Sequence, residues 1–146
     1  MSRHKARQMA LECLFSREFH SENDIQYSEK EIFEKDTVTA ADLKETEKTG
    51  ANDTAYGEYI LQTVTAHKDE LDAIIQTYAK GWDIARLNNT DKNIMRLALC
   101  ELVYPKEEMA PSIILNEAIV LAKEYSGETS ARFINGVLGA YVRSRS

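Results

Sequence analysis

The amino-acid sequence predicts an all-α protein of about seven helices packed as bundles. Three observations carry that prediction. Apolar residues recur at three- and four-residue spacing along most of the 146-residue chain. No stretch of useful length alternates apolar with polar residues, as a half-buried strand would. Only 6 Gly and 2 Pro are present, which leaves few tight turns and room for long helices.

The first helix is expected from Arg3 to about His20. Ala6, Met9, Ala10, Cys13 and Leu14 form its apolar face, and Leu11 and Phe15 a second edge. Residues 21–50 are acidic and weakly periodic, and read as a solvated loop with one short helix. Two helices follow. Asn52 or Asp53 can cap the first, whose face is Tyr56, Tyr59, Ile60 and Val64. Leu71, Ile74, Ile75 and Tyr78 line the second, which is expected to end at Gly81. Trp82, Ile84 and Leu87 make an apolar connector.

The segment NNTDKNIMRLALCELVYP has Asn89 or Thr90 as its cap and Pro105 as its stop. Its apolar residues run round nearly the whole helix, which places it at the centre of a core. PSIILNEAIVLAKEYSG is a helix capped by Ser112 and ended by Gly127. TSARFINGVLGAYVR is the last, capped by Thr129 or Ser130, with Ile134, Val137, Leu138, Tyr141 and Val142 as its buried stripe.

The net charge is -6, with pI near 5.1, but it is unevenly placed. Residues 1–20 carry four cations and two anions, and residues 111–146 carry four and three. The middle of the chain is acidic. Local fields rather than net charge steer a polyanion, so the basic ends are candidates for contacting one. The length suits one domain. Cys13 and Cys100 lie in apolar helical patterns and read as core residues of a protein in a reducing compartment. Glu12 interrupts the only early apolar run, and no run reaches the roughly 18 apolar residues of a membrane helix. A soluble cytoplasmic protein is expected.

Catalytic chemistry has little to stand on. His4, His20 and His67 show no metal-ligand spacing, and none of the common nucleotide, metalloprotease or hydrolase motifs is present. The acidic pairs Glu107–Glu108 and Glu45–Glu47 lie in loop-like sequence. No enzyme activity, cofactor or metal is expected.

Two groups of residues fall outside the core pattern. On the last helix, Phe133 lies about 100° from the centre of the apolar stripe. Arg132, Gly136, Gly139, Ala140 and Arg143 lie beside it on the outward side. Aromatic faces stack on unpaired bases and arginines pair with phosphates. Each glycine costs about 1 kcal/mol against Ala in a helix interior. Either another helix packs there, or a ligand approaches the bare backbone. On the first helix, Arg3, His4, Lys5 and Arg7 crowd an N-terminus, where the helix dipole disfavours cations. They form either a solvated charge run or a phosphate-binding tip, since a bound polyanion removes the cost.

KARQMALECLF, NTDKNIMRLALCEL and PSIILNEAIVLAKEYSGETSARFINGVL together resemble the NusB family of bacterial transcription antitermination factors. The resemblance spans almost the whole chain in order. It implies two small helical bundles side by side, drawn here as residues 1–85 and 86–146 of one RNA-binding domain. It implies binding to single-stranded boxA-type RNA of ribosomal RNA transcripts, with a small-subunit ribosomal protein (NusE) as partner, in an antitermination complex on RNA polymerase. It carries RNA roles onto Arg3, His4, Lys5 and Arg7, onto Arg132 and Phe133 with the neighbouring Gly136, and onto Phe15, near both RNA and partner. Asp91 matches an acidic residue that faces the protein partner. Asn116 and Glu117 match a structural motif. Thr129 stands where many members have an acidic residue, which lessens repulsion of phosphate. Two rival readings are a helical protein-interaction module without RNA binding, and a stand-alone relative of the RNA-binding module of ribosomal RNA methyltransferases. Nothing in the sequence excludes a homodimer.

Overall fold

The computed structural model describes residues 3–19 and 47–145. These residues form six α-helices and one 3-10 turn. They are α1 (Arg3–Phe19), α2 (Glu47–Ala66), α3 (Lys68–Tyr78), the 3-10 turn Ile84–Arg86, α4 (Asn89–Val103), α5 (Pro111–Tyr125) and α6 (Glu128–Ser144). The described residues contain no strand, as the absence of alternation predicts. The loop and short helix expected at 21–50 fall largely on residues 20–46, outside the described residues.

The chain divides into two compact units, residues 1–62 and 63–146. The division falls within α2, whereas the one drawn from the sequence lies inside the 3-10 turn Ile84–Arg86. In the first unit, α1 buries its whole expected stripe of Ala6, Met9, Ala10, Cys13 and Leu14, together with Leu11. On α2, Tyr56, Ile60 and Leu61 are buried.

In the second unit α4 is the central helix and packs against α3, α5 and α6. It is buried from Asn93 to Glu101, polar residues included, as its all-round apolar character predicts. Arg96 ties it to α3. Its guanidinium donates to both carboxylate oxygens of Asp72 at 2.6 and 2.9 Å, and to Asn93 Oδ1 at 3.0 Å. On α6, Ile134, Val137, Leu138 and Tyr141 are buried and Val142, expected in the same stripe, is half-buried; the helix packs against α5, α4 and α3.

The helix ends differ from the expected caps. Glu47 starts α2, so neither Asn52 nor Asp53 caps it. For α4 the cap is Asn88, whose side chain accepts a hydrogen bond from the Asp91 N–H at 2.8 Å. Ala110 stands at the cap of α5 with Pro111 in the first turn, where the missing N–H costs nothing. Gly127 starts α6 and also closes α5, donating to Ala122 O at 2.8 Å with φ +150°. Thr129 and Ser130 lie inside the helix. The α3 helix ends at Tyr78, and Gly81, at φ +83°, turns the chain that follows. Tyr104 and Pro105 end α4 as expected.

Candidate nucleic-acid interface

Of the four N-terminal cationic candidates, two sit in one polar cluster of the first unit. Arg3 donates to Asp53 Oδ1 at 2.8 Å and lies over the Tyr56 ring, 4.3 Å from its centroid. Arg7 lies 5.8 Å from the same centroid. So α2 supplies the carboxylate that the first turn of α1 lacks. Arg7 is only 2% exposed, while Arg3, His4 and Lys5 are half-buried. Arg7 is therefore a packing residue, its stem buried and its head against an aromatic face. Phe15 is half-buried. The clustering of Arg3 and Arg7 on Tyr56 and Asp53 was not foreseen, since it depends on a residue fifty positions away.

In the second unit, the outward face of α6 carries exposed Arg132, half-buried Phe133 and exposed Gly136. A Cβ at Gly136 would meet nothing within 4 Å, so the backbone is open at that position. Gly139 differs. It is buried, and Arg143 Nη1 lies 3.1 Å from where its Cβ would stand. The bare backbone is thus narrower than the wheel suggested.

Phe133 has an aromatic neighbour in the apolar connector that precedes α4. Trp82, 56% exposed, meets it edge to face, with ring centroids 5.5 Å apart and planes at 67°. The two rings line an open pocket of about 300 Å³ with Arg86, Asn88, Thr129 and Ser130. Leu87 and Asp91 line it as well, and Asp91 is only 6% exposed. Its carboxylate accepts from Asn88 Nδ2 at 3.2 Å, from Ser130 Oγ at 3.0 Å, and is 3.1 Å from Ser126 Oγ. Ser126 Oγ is also 2.8 Å from Ser130 Oγ, and its single hydrogen serves one of the two acceptors at a time. Asp91 therefore binds the starts of α4 and α6 together and holds the turn that presents Phe133. Its carboxylate is engaged in this network. A signal for Trp82 did exist: a lone tryptophan between Gly81 and a capping Asp83 belongs to a turn, and turn side chains stand at the surface.

No group of three or more metal-ligating side chains occurs among the described residues. No described helix is long and apolar enough to cross a membrane. Burial pushes the Cys100 thiol up to about 12, with the Glu101 charge adding to the shift. Both cysteines are buried thiols outside any disulfide, as their apolar setting predicts.

The arrangement of helices is that of known all-α structures. Thermotoga maritima NusB superposes with a TM-score of 0.80 at 25% identity, over 98% of this chain and 92% of that one. A structure of antitermination factors NusB and NusE in complex with dsRNA gives a TM-score of 0.74 at 27% identity, over 97% of this chain and 96% of that one. The class is thus an all-α protein of NusB-like fold. In sequence, the transcription antitermination protein NusB of Clostridium botulinum (strain Kyoto / Type A2) is 38% identical over 97% of this chain and 100% of its own. The model of the NusB family matches residues 4–143, and the chain belongs to that family of non-enzymatic transcription antitermination factors.

Proposed function

We propose that this chain is the RNA-binding adaptor of an antitermination complex on RNA polymerase, working in the bacterial cytoplasm. It binds single-stranded boxA-type RNA of ribosomal RNA transcripts together with a small-subunit ribosomal protein (NusE). The observation that carries this reading is the outward face of α6. A half-buried aromatic ring, an exposed arginine and the open backbone at Gly136 occur there on one helix. An unpaired base stacks on the ring, a phosphate pairs with Arg132, and the missing Cβ at Gly136 lets the strand come close. The structure of NusB and NusE in complex with dsRNA supports RNA as the ligand class, and the choice of a single strand rests on the Phe133 ring, which a paired base would not stack on.

In this account His4, Lys5 and Arg3 add phosphate contacts from α1. Phe15, on the same helix, serves RNA and partner. Arg7 and Asp91 act from beneath, by holding α1 and the Phe133 turn. A few phosphate contacts give modest, salt-sensitive affinity, and a protein bound to the same RNA raises it by avidity. A gel-shift with a boxA-like RNA, with and without the ribosomal protein, tests the reading. The expected result is a shift that tightens when the ribosomal protein is added. No shift in either lane would leave a protein-interaction module in its place.

A further inference from the structure

We propose that Trp82 is a base-reading residue, forming with Phe133 a two-walled aromatic corner that takes one unstacked nucleobase. This rests on the RNA-binding reading above and extends it to a residue and a loop outside α6. With ring planes at 67° and centroids 5.5 Å apart, a base laid on the face of one ring turns its edge toward the other. The base is then located in two directions rather than one.

The loop that carries Trp82 is built to hold an exposed ring still. The Gln76 amide on α3 brackets it, donating Nε2–H to the Trp82 carbonyl at 2.7 Å and accepting the Ile84 N–H on Oε1 at 3.0 Å. The Trp82 N–H donates to Ala79 O at 3.0 Å. Asp83 Oδ1 accepts the Ala85 N–H at 3.1 Å and fixes the 3-10 turn. A backbone pinned at these points, beneath a large side chain that is 56% exposed, is a preorganised contact surface.

The rim decides the chemistry of the occupant. Arg86, Asn88, Asp91, Thr129 and Ser130 give the pocket its polar lining, with Leu87 beside the two rings, and the Asp91 carboxylate already accepts from Asn88 and Ser130. An aliphatic side chain seated there would strip water from these polar groups without replacing it. A nucleobase has a flat face for the rings and hydrogen-bonding edges for the rim, and its phosphate is within the chemistry of Arg86. A base inside a duplex has its faces stacked and its pairing edge used, so the corner selects single-stranded RNA.

Trp82 is the only tryptophan of the chain, so its emission reports on this pocket alone. The test titrates the full-length protein with a single-stranded boxA-like RNA, reading tryptophan emission and, on labelled RNA, anisotropy. The same RNA is then used with one abasic residue moved along it. The expected result is quenching that saturates with the anisotropy change, and that one abasic position removes. Trp82→Ala should weaken binding about ten-fold with helical circular dichroism unchanged, Trp82→Phe should restore most of it, and Gln76→Ala should weaken it through loss of the bracket. RNA that binds with unchanged emission, and equally well to Trp82→Ala, overturns this inference and leaves the RNA-binding reading standing. Absence of any RNA binding, with or without the ribosomal protein, overturns both.

Discussion

Lys5 and Arg7 stand two residues apart on α1, yet their environments differ in kind. Lys5 is half-buried, and Arg7 is 2% exposed with its guanidinium beside Tyr56. Arg7→Ala is therefore expected to cost about 2 kcal/mol of stability through lost packing, read as a lower thermal midpoint. Lys5→Ala should stay within about 0.5 kcal/mol. It should instead reduce the slope of log K against log salt for RNA binding by about 0.7. Arg7 stands three residues before Ala10 and seven before Leu14, in line with the buried face. Reading a charged side chain as exposed hid that, and its aromatic partner on α2 could not be seen from α1 alone. Cys100 gives a second residue-scale expectation. Its thiol is raised from 9.0 to about 12 in the folded chain, chiefly by burial. Between those values the unfolded chain releases a proton that the folded chain keeps, so stability falls as pH rises through that window. Denaturant midpoints at pH 8 and pH 11 should drop less for Cys100→Ala than for the parent chain.

At the scale of elements, α6 serves core and surface with opposite faces. Gly136 sits on the surface face with open space around its missing Cβ. Gly136→Ala should therefore raise helix stability by up to about 1 kcal/mol while weakening RNA binding. A variant that is more stable and binds RNA unchanged would remove the bare backbone from the site. The same helix shows what was legible beforehand. Its buried stripe follows from spacing alone, because burial of a helix face is a periodic property of the local sequence. The all-round apolar character of α4 placed it at the centre for the same reason. The caps were less legible. Asn88 rather than Asn89 starts α4, and Gly127 rather than Thr129 or Ser130 starts α6. Neighbouring residues of similar capping strength differ only in backbone angles that composition does not encode. Ser130, no cap at all, spends its hydroxyl on Asp91. Trp82 escaped notice because helical spacing gives no direction to a side chain in a loop.

For the molecule as a whole, an acidic chain of net charge -6 is proposed to bind a polyanion. The charges that matter are the few basic residues near the two ends of the sequence, set against an acidic middle. A chain that repels RNA at long range and holds it at a few cations and aromatic rings should bind weakly at high salt. It should also depend on a protein partner for tight binding. Membership of the NusB family defines the biological setting, and the local geometry of α6 and its neighbouring loop defines which side chains are available for it. The most direct measurement is the equilibrium affinity of the folded Arg132→Ala, Phe133→Ala double variant for a single-stranded boxA-like RNA at fixed salt. Both side chains lie outside the buried core, so the variant should keep the parent's circular dichroism and thermal midpoint to within a few degrees. The account predicts a loss of at least ten-fold, from one base stack and one phosphate contact. An affinity equal to that of the parent chain would contradict it.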